Sequence, residues 1–202
     1  MIFPPVAASL AVSDPAAVAE DRVEIVGWCD FLPFYREMVG RFREGGRFVE
    51  VGCWHGQSSV LLLKLIGRAE AQISVDFVDT WLASPNEPEM LAELERLGPD
   101  HVYESFLANV APYAGWRAIR KPSVEAAADY EDHSLDFVFI DADHSAEAVF
   151  ADVVAWLPKV RPGGVLAGHD ADYDSVRAGL SRVIWDWRTV GRCWVKEVGG
   201  LD

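Results

Sequence analysis

The chain has 202 residues, half of them apolar, enough for one domain with a substantial core. Its 32 acidic side chains against 18 basic ones give a formal net charge of -14. No lysine- or arginine-rich run offers a counter-patch for phosphates, so nucleic acid is excluded as an expected partner.

No stretch approaches the roughly 18 consecutive apolar residues of a membrane span. Three scattered cysteines, Cys29, Cys53 and Cys193, form neither a disulfide framework nor a zinc pattern. The expectation is a cytoplasmic protein that does not engage membranes.

Residues 1–30, broken by Pro4, Pro5 and Pro15, read as an N-terminal extension lying on a single domain of residues 31–202. The apolar start, Met1 to Val12, offers an arm for a homodimer. Phe34, Met38 and Phe42 then recur every fourth residue, which predicts a helix over 31–43 ended by Gly45 and Gly46. A buried strand follows at 47–51, then a helix over 56–66 and a second strand at 73–78. The segment 85–113 carries two helical stretches divided by Gly98-Pro99, either a lid or a covering helix pair.

A short strand at 116–120 and a short helix at 123–130 come next, followed by a strand at 135–140 and its helix at 146–157. Arg161-Pro162-Gly163-Gly164 reads as a turn before a fifth strand at 165–168. A helix from 174 to about 184 and a hairpin over 187–198 turning at Gly191 complete the chain. Uniformly apolar strands alternating with helices predict an α/β fold, a Rossmann-like doubly wound, mostly parallel sheet with a C-terminal antiparallel hairpin. Of the eight tryptophans, Trp54 and Trp81 read as pocket walls or packed aromatics, and Trp185, Trp187 and Trp194 as packing for the last helix and hairpin or as a dimer contact.

The first strand runs into Gly52-Cys53-Trp54-His55-Gly56 and a helix that opens with Gln57-Ser58. A pyrophosphate needs three closely spaced glycines, and the bulky residues here fit one poorly. The turn suits a smaller carboxylate or ammonium. Asp79, ending the second strand, stands where such folds place an acid against ribose hydroxyls.

With these motifs the sequence resembles class I S-adenosylmethionine-dependent methyltransferases, from about Phe31 to Val198. Phe48-Val-Glu-Val-Gly-Cys-Trp-His-Gly-Gln-Ser-Ser59 looks like that family's first motif and Val78-Asp-Thr-Trp81 like its second. The resemblance implies that Gly52 and Gly56 line the methionine end and that Glu50 sits near the amino group. It further places Ser58 at the carboxylate, Asp79 with Thr80 at the ribose, and Ser123 with the backbone of Val124 at adenine.

Asp141, Asp143, His144, His169 and Asp170 gather at the ends of the fourth and fifth strands, where open α/β sheets bind ligands. Asp143 is equally suited to capping the following helix, as are His144 and Ser145. The spacing Ile140-Asp-Ala-Asp-His-Ser145 with Pro162-Gly-Gly-Val-Leu-Ala-Gly-His-Asp170 resembles the metal-assisted small-molecule O-methyltransferases, the catechol and macrolide-sugar group. That likeness implies Asp141, His169 and Asp170 as ligands of Mg or Mn, with Asp141 also near the cofactor and His144 as catalytic base. His169 stands where the group usually has an acid, so a nitrogen donor replaces an oxygen or else bonds the substrate directly.

The expected activity is S-adenosylmethionine-dependent O-methylation of a small-molecule hydroxyl. The rivals are a non-catalytic binder of S-adenosylmethionine or its product, an N-methyltransferase and a nicotinamide-dependent oxidoreductase. His55 and His133 read as surface or turn residues, and His101 as a helix-start residue with no visible partner.

Overall fold

The computed structural model describes residues 24–199. Strand β1 (Gly46–Val51) lies in the middle of the five parallel strands of a seven-stranded sheet, flanked by β2 (Ile73–Asp79) and β4 (Leu135–Ile140). Beyond β2 lies β3 (Trp116–Arg120); beyond β4 come β5 (Val160–Gly168), β7 (Cys193–Glu197) and β6 (Arg188–Val190), giving the order β3-β2-β1-β4-β5-β7-β6. The pairs among β1 to β5 are parallel, and β7 runs antiparallel to both β5 and β6.

Every residue of β4 is buried, as a parallel strand covered on both faces requires. On one face lie α1 (Leu32–Arg41), α2 (Gln57–Ala69) and α4 (His101–Val110), whose Phe34, Met38, Leu62 and Phe106 pack against Phe48, Phe77 and Phe137 of the sheet. The other face carries α5 (Ser123–Ala127), α6 (Ala146–Trp156) and α7 (Asp174–Leu180), with Val153, Trp156 and Leu180 against Val49, Val138 and Leu166. Each such side chain, fully buried, contributes about 1.5–3 kcal/mol. The fold matches the expected doubly wound architecture.

Three boundaries differ. Strand β5 starts at Val160 and runs through Pro162 and both glycines rather than after them, with a register shift against β4 between Leu135 and Phe137 that absorbs the proline. Helices α5 and α7 stop at Ala127 and Leu180, shorter than their periodicity suggested. Residues 1–23, including the proposed dimer arm, lie outside the described residues.

The register positions the site. Val51 pairs with both Val78 and Ile140, and Ile140 with Gly168. The residues that follow, Gly52, Asp141 and His169, therefore emerge along one edge of the sheet, beside Asp79 at the end of β2.

Candidate active site

A cavity of about 620 Å³ opens at that edge, lined on one side by the β1–α2 turn, Asp79 and the segment Lys121–Val124 that opens α5, and on the other by Asp141, His144, His169 and Asp170. Gly52 has φ +85°, and a Cβ there would sit 2.0 Å from the Asp141 carbonyl oxygen. Only glycine allows the two loops to approach this closely. Gly56, at φ +88°, opens α2, and a Cβ there would meet the Phe106 ring at 2.8 Å. Gly56 thus admits α4 to the back of the turn, and among the described residues it does not line the cavity, contrary to its expected place at the methionine end.

Asp79 organises the turn. Its Oδ2 accepts hydrogen bonds from the backbone N–H of Cys53 at 2.7 Å and Trp54 at 3.0 Å, and its Oδ1 from Trp81 N–H at 2.8 Å. The carboxylate also lines the cavity, so it joins loop geometry to ligand contact. Thr80 lines the wall beside it, its hydroxyl accepting from Leu82 N–H at 3.3 Å.

Glu50 is not at the cavity wall. Strand alternation turns it, with Phe48, toward α1 and α2, where it is 1% exposed. Its Oε1 accepts from Ser58 Oγ at 2.5 Å and Ser59 Oγ at 3.1 Å, while Oε2 has no partner. Burial pushes its carboxyl up to about 8, against the lowering effect of the two serines, so the group is largely neutral at pH 7. Ser58 does reach the cavity, but its hydroxyl proton is committed to Glu50, which acts on the pocket through it. At the far end, Ser123 Oγ accepts from Trp156 Nε1 at 2.9 Å, and Val124 is half exposed on the cavity wall.

On the other side, Asp141, His144 and Asp170 bring one potential ligand atom each within 4.8 Å of one another. His144 Nε2 lies 2.9 Å from Asp170 Oδ2 and 3.7 Å from Asp141 Oδ1. The carboxylates of Asp141 and then Asp170 raise the imidazole to about 10, so with both acids ionised it carries a proton at pH 7. Burial works against the Asp170 carboxylate, yet His144 and His169 hold it well below the usual carboxylate range.

His169 approaches the same acids through Nδ1, 3.4 Å from Asp170 and 3.7 Å from Asp141, while its Nε2 meets Asp30 Oδ1 at 2.7 Å. Asp170 adopts φ +53°, and Trp54 and Ala83, also on the cavity wall, share the left-handed region. Such strain gathers where loops are held for function. Asp143 also borders the cavity but stands apart from that cluster, accepting from Ser145 N–H at 2.7 Å and Ser84 Oγ at 2.7 Å, and Ser145 is the side chain that caps α6.

Sequence reasoning missed Asp30 and Arg192. Arg192 pairs with Asp170 and with Asp172, and comes from the β6–β7 turn. A basic residue beside Gly191 in a strongly acidic chain was the only available signal. It also missed the role of the insertion helix α3 (Pro88–Leu97). His55, read as a surface or turn residue, does sit in the turn before α2 but is 5% exposed: its Nδ1 lies 2.8 Å from Ser105 Oγ and its Nε2 3.0 Å from Glu93 of α3. His101 stands 3.8 Å from the same Glu93, so it too has a partner. Trp194 and Trp81 are buried, whereas Trp185 is 85% exposed, its Nε1 donating to the Ser181 carbonyl at 3.1 Å, so it does not serve as packing between the last helix and the sheet.

The chain is 28% identical over 146 residues to the uncharacterized protein y4gI of Sinorhizobium fredii, and the match spans 15% of that protein's length. Two solved structures share the fold at low identity. One is CalS11, a TDP-rhamnose 3'-O-methyltransferase of calicheamicin biosynthesis, with 16% identity, 84% of this chain and 77% of that one covered, and a TM-score of 0.56. The other is the MycE methyltransferase of the mycinamycin pathway, in complex with Mg, SAH and mycinamycin VI, with 18% identity, 83% of this chain and 49% of that one covered, and a TM-score of 0.53. A family model described as a methyltransferase domain matches residues 49–171, the stretch that supplies the glycine turn, Asp79, Asp141, His144 and Asp170, and the chain belongs to that family.

Proposed function

We propose that this chain transfers a methyl group from S-adenosylmethionine to a hydroxyl of a small molecule, with residues 31–202 as the working unit. The observation that carries this reading is one cavity with Asp79 and the Gly52 turn at one side and Asp141, His144 and Asp170 at the other. The first set suits a ribose and an amino-acid moiety, and the second suits a hydroxyl nucleophile that must lose a proton. CalS11 and MycE, which share the fold, support a small-molecule acceptor and an oxygen nucleophile. Three free cysteines and the acidic surface favour a cytoplasmic setting, and no described helix is long and apolar enough to cross a membrane.

The donor set fits a divalent cation: the carboxylates of Asp141 and Asp170 converge and His169 offers a nitrogen, a mixture that suits Mn as well as Mg, with the His144 imidazole beside them left for the proton. Asp141 and Asp170 would hold the ion, with His169 completing the set. When bound, the cation lowers the acceptor hydroxyl's pKa and offsets the acids' charge, so that His144 starts unprotonated. His144 Nε2 then takes the hydroxyl proton and holds it beside Asp170. Burial of the surrounding loops excludes water from the sulfonium.

Calorimetric titration with S-adenosylhomocysteine tests the reading, with NAD as control and with Mg, Mn or EDTA added. Micromolar binding of S-adenosylhomocysteine and silence with NAD are expected, with a separate metal heat that Asp170→Asn removes. His144→Ala keeps the cofactor affinity and loses methyl transfer. Asp79→Ala weakens cofactor binding by about 1–3 kcal/mol, the range for charged hydrogen bonds. Binding of NAD in preference, or no binding at all, overturns the assignment.

A further inference from the structure

Asp30 stands on the cavity wall, in the segment that leads into α1, and takes no part in the chemistry above. Its Oδ1 lies 2.7 Å from Nε2 of His169. The next residue, Phe31, is buried, with its ring centroid 4.9 Å from that of the imidazole and 4.6 Å from that of Phe139 in β4. Two consecutive residues therefore fix His169, one through a ring nitrogen and the other through ring packing. At 6% exposure the imidazole has little room to turn.

A carboxylate accepts and never donates, so the Nε2 proton is directed at Asp30 and the neutral ring keeps its lone pair on Nδ1. That nitrogen faces Asp170 Oδ1 at 3.4 Å and Asp141 Oδ1 at 3.7 Å, both longer than a good hydrogen bond. A lone pair and two carboxylates at such separations repel one another, and a cation among them turns the repulsion into attraction. The other oxygen of Asp30 is anchored too, 3.6 Å from Nη1 of Arg192.

Resting on the metal reading, we infer that Asp30 is a positioning residue that makes His169 the nitrogen ligand of the cation and tilts the site toward Mn over Mg. A carboxylate on the far nitrogen of a ligating imidazole sets its tautomer and orientation and raises the basicity of the nitrogen that binds. Mg favours oxygen donors alone, whereas an oriented imidazole adds affinity for Mn. Asp30 acts through His169, so the segment before α1 sets which metal the strand ends prefer.

The test is calorimetric titration of the full chain with manganese chloride and with magnesium chloride, together with the electron spin echo spectrum of the Mn-loaded chain, for the wild type, Asp30→Ala and Asp30→Asn. Each is repeated with His144→Ala added, which removes the neighbouring imidazole from the spectrum. The wild type binds Mn more tightly than Mg by about tenfold or more, and its spectrum carries nitrogen modulation from a ligated imidazole that persists when His144→Ala is added. Asp30→Ala weakens Mn binding by about tenfold to a hundredfold, brings the two metals within about threefold of each other and loses the modulation. Asp30→Asn, whose carbonyl still accepts from Nε2, recovers part of both, and its smaller loss is the measure if the alanine variant does not fold. Equal wild-type affinities for the two metals, modulation absent from the Mn-loaded wild type, or modulation and Mn affinity unchanged in the folded variants overturn the inference and leave the metal reading standing. Wild-type silence toward both metals brings down the metal reading and this inference with it.

Discussion

Helices α2 and α3 both border the cavity, and they are held by opposite means. Eight of the residues in α2 are buried, and its first turn is bound to the sheet through Glu50, Ser58 and Ser59. Helix α3 has no buried residue. Beyond Leu94, which packs against the core, it is fastened by polar contacts: Glu93 to His55 and, just before the helix, Glu87 to His144 at 3.4 Å and Ser84 to Asp143. The cofactor side of the pocket is thus fixed by packing, and the acceptor side by a few ionisable latches. The difference teaches that a region able to open for a bulky acceptor does so by breaking a few polar contacts and lifting one leucine, with the buried core of the sheet intact.

The most severe way to break this contrast is Gly52→Ala. The added Cβ collides with the Asp141 carbonyl and the positive φ disfavours any side chain, so the cost exceeds about 3 kcal/mol. Thermal unfolding of the variant reports it, with cofactor binding lost together with stability.

His55→Ala is intermediate and local. Losing two hydrogen bonds from a buried imidazole costs about 1–2 kcal/mol, and its signature is position. Amide exchange accelerates across α3 and α4 while β1, β4 and α2 stay protected. Uniform acceleration would show that the insertion is part of the packed core.

The smallest effect in mildly acid solution belongs to Glu50→Gln. An acid whose folded pKa, about 8, exceeds its ordinary 4.5 takes up a proton on folding, so wild-type stability falls as pH rises between those values and levels off above them. Glutamine mimics the protonated form and flattens that slope. The variant matches the wild type within about 1 kcal/mol near pH 5–6 and exceeds it at pH 9, as denaturant melts at the three pH values will show.

The sheet was legible because apolar runs such as Leu135–Ile140 allow few alternatives, and the glycine turn because Gly52 and Asp79 fall at strand ends. Asp141, His144 and Asp170 were found as a cluster because they are nearly contiguous with two adjacent strands. The inward turn of Glu50 follows from strand alternation, but reading it needs the strand's exact phase, which family motifs had masked. Asp30, Arg192 and the His55–Glu93 latch arise from pairs far apart in the chain, and no local pattern records such meetings.

The placement of β1 has a consequence for synthesis. Among the described residues the first strand made is the middle one of the parallel set, and its second edge stays open until residues 135–140 emerge to pair with it. Until then an apolar strand of the nascent chain presents unpaired backbone groups, the feature that seeds association between chains. Insertions between β2 and β3 that enlarge the acceptor side lengthen that wait, so breadth of acceptor and yield of folded protein pull against each other in this architecture.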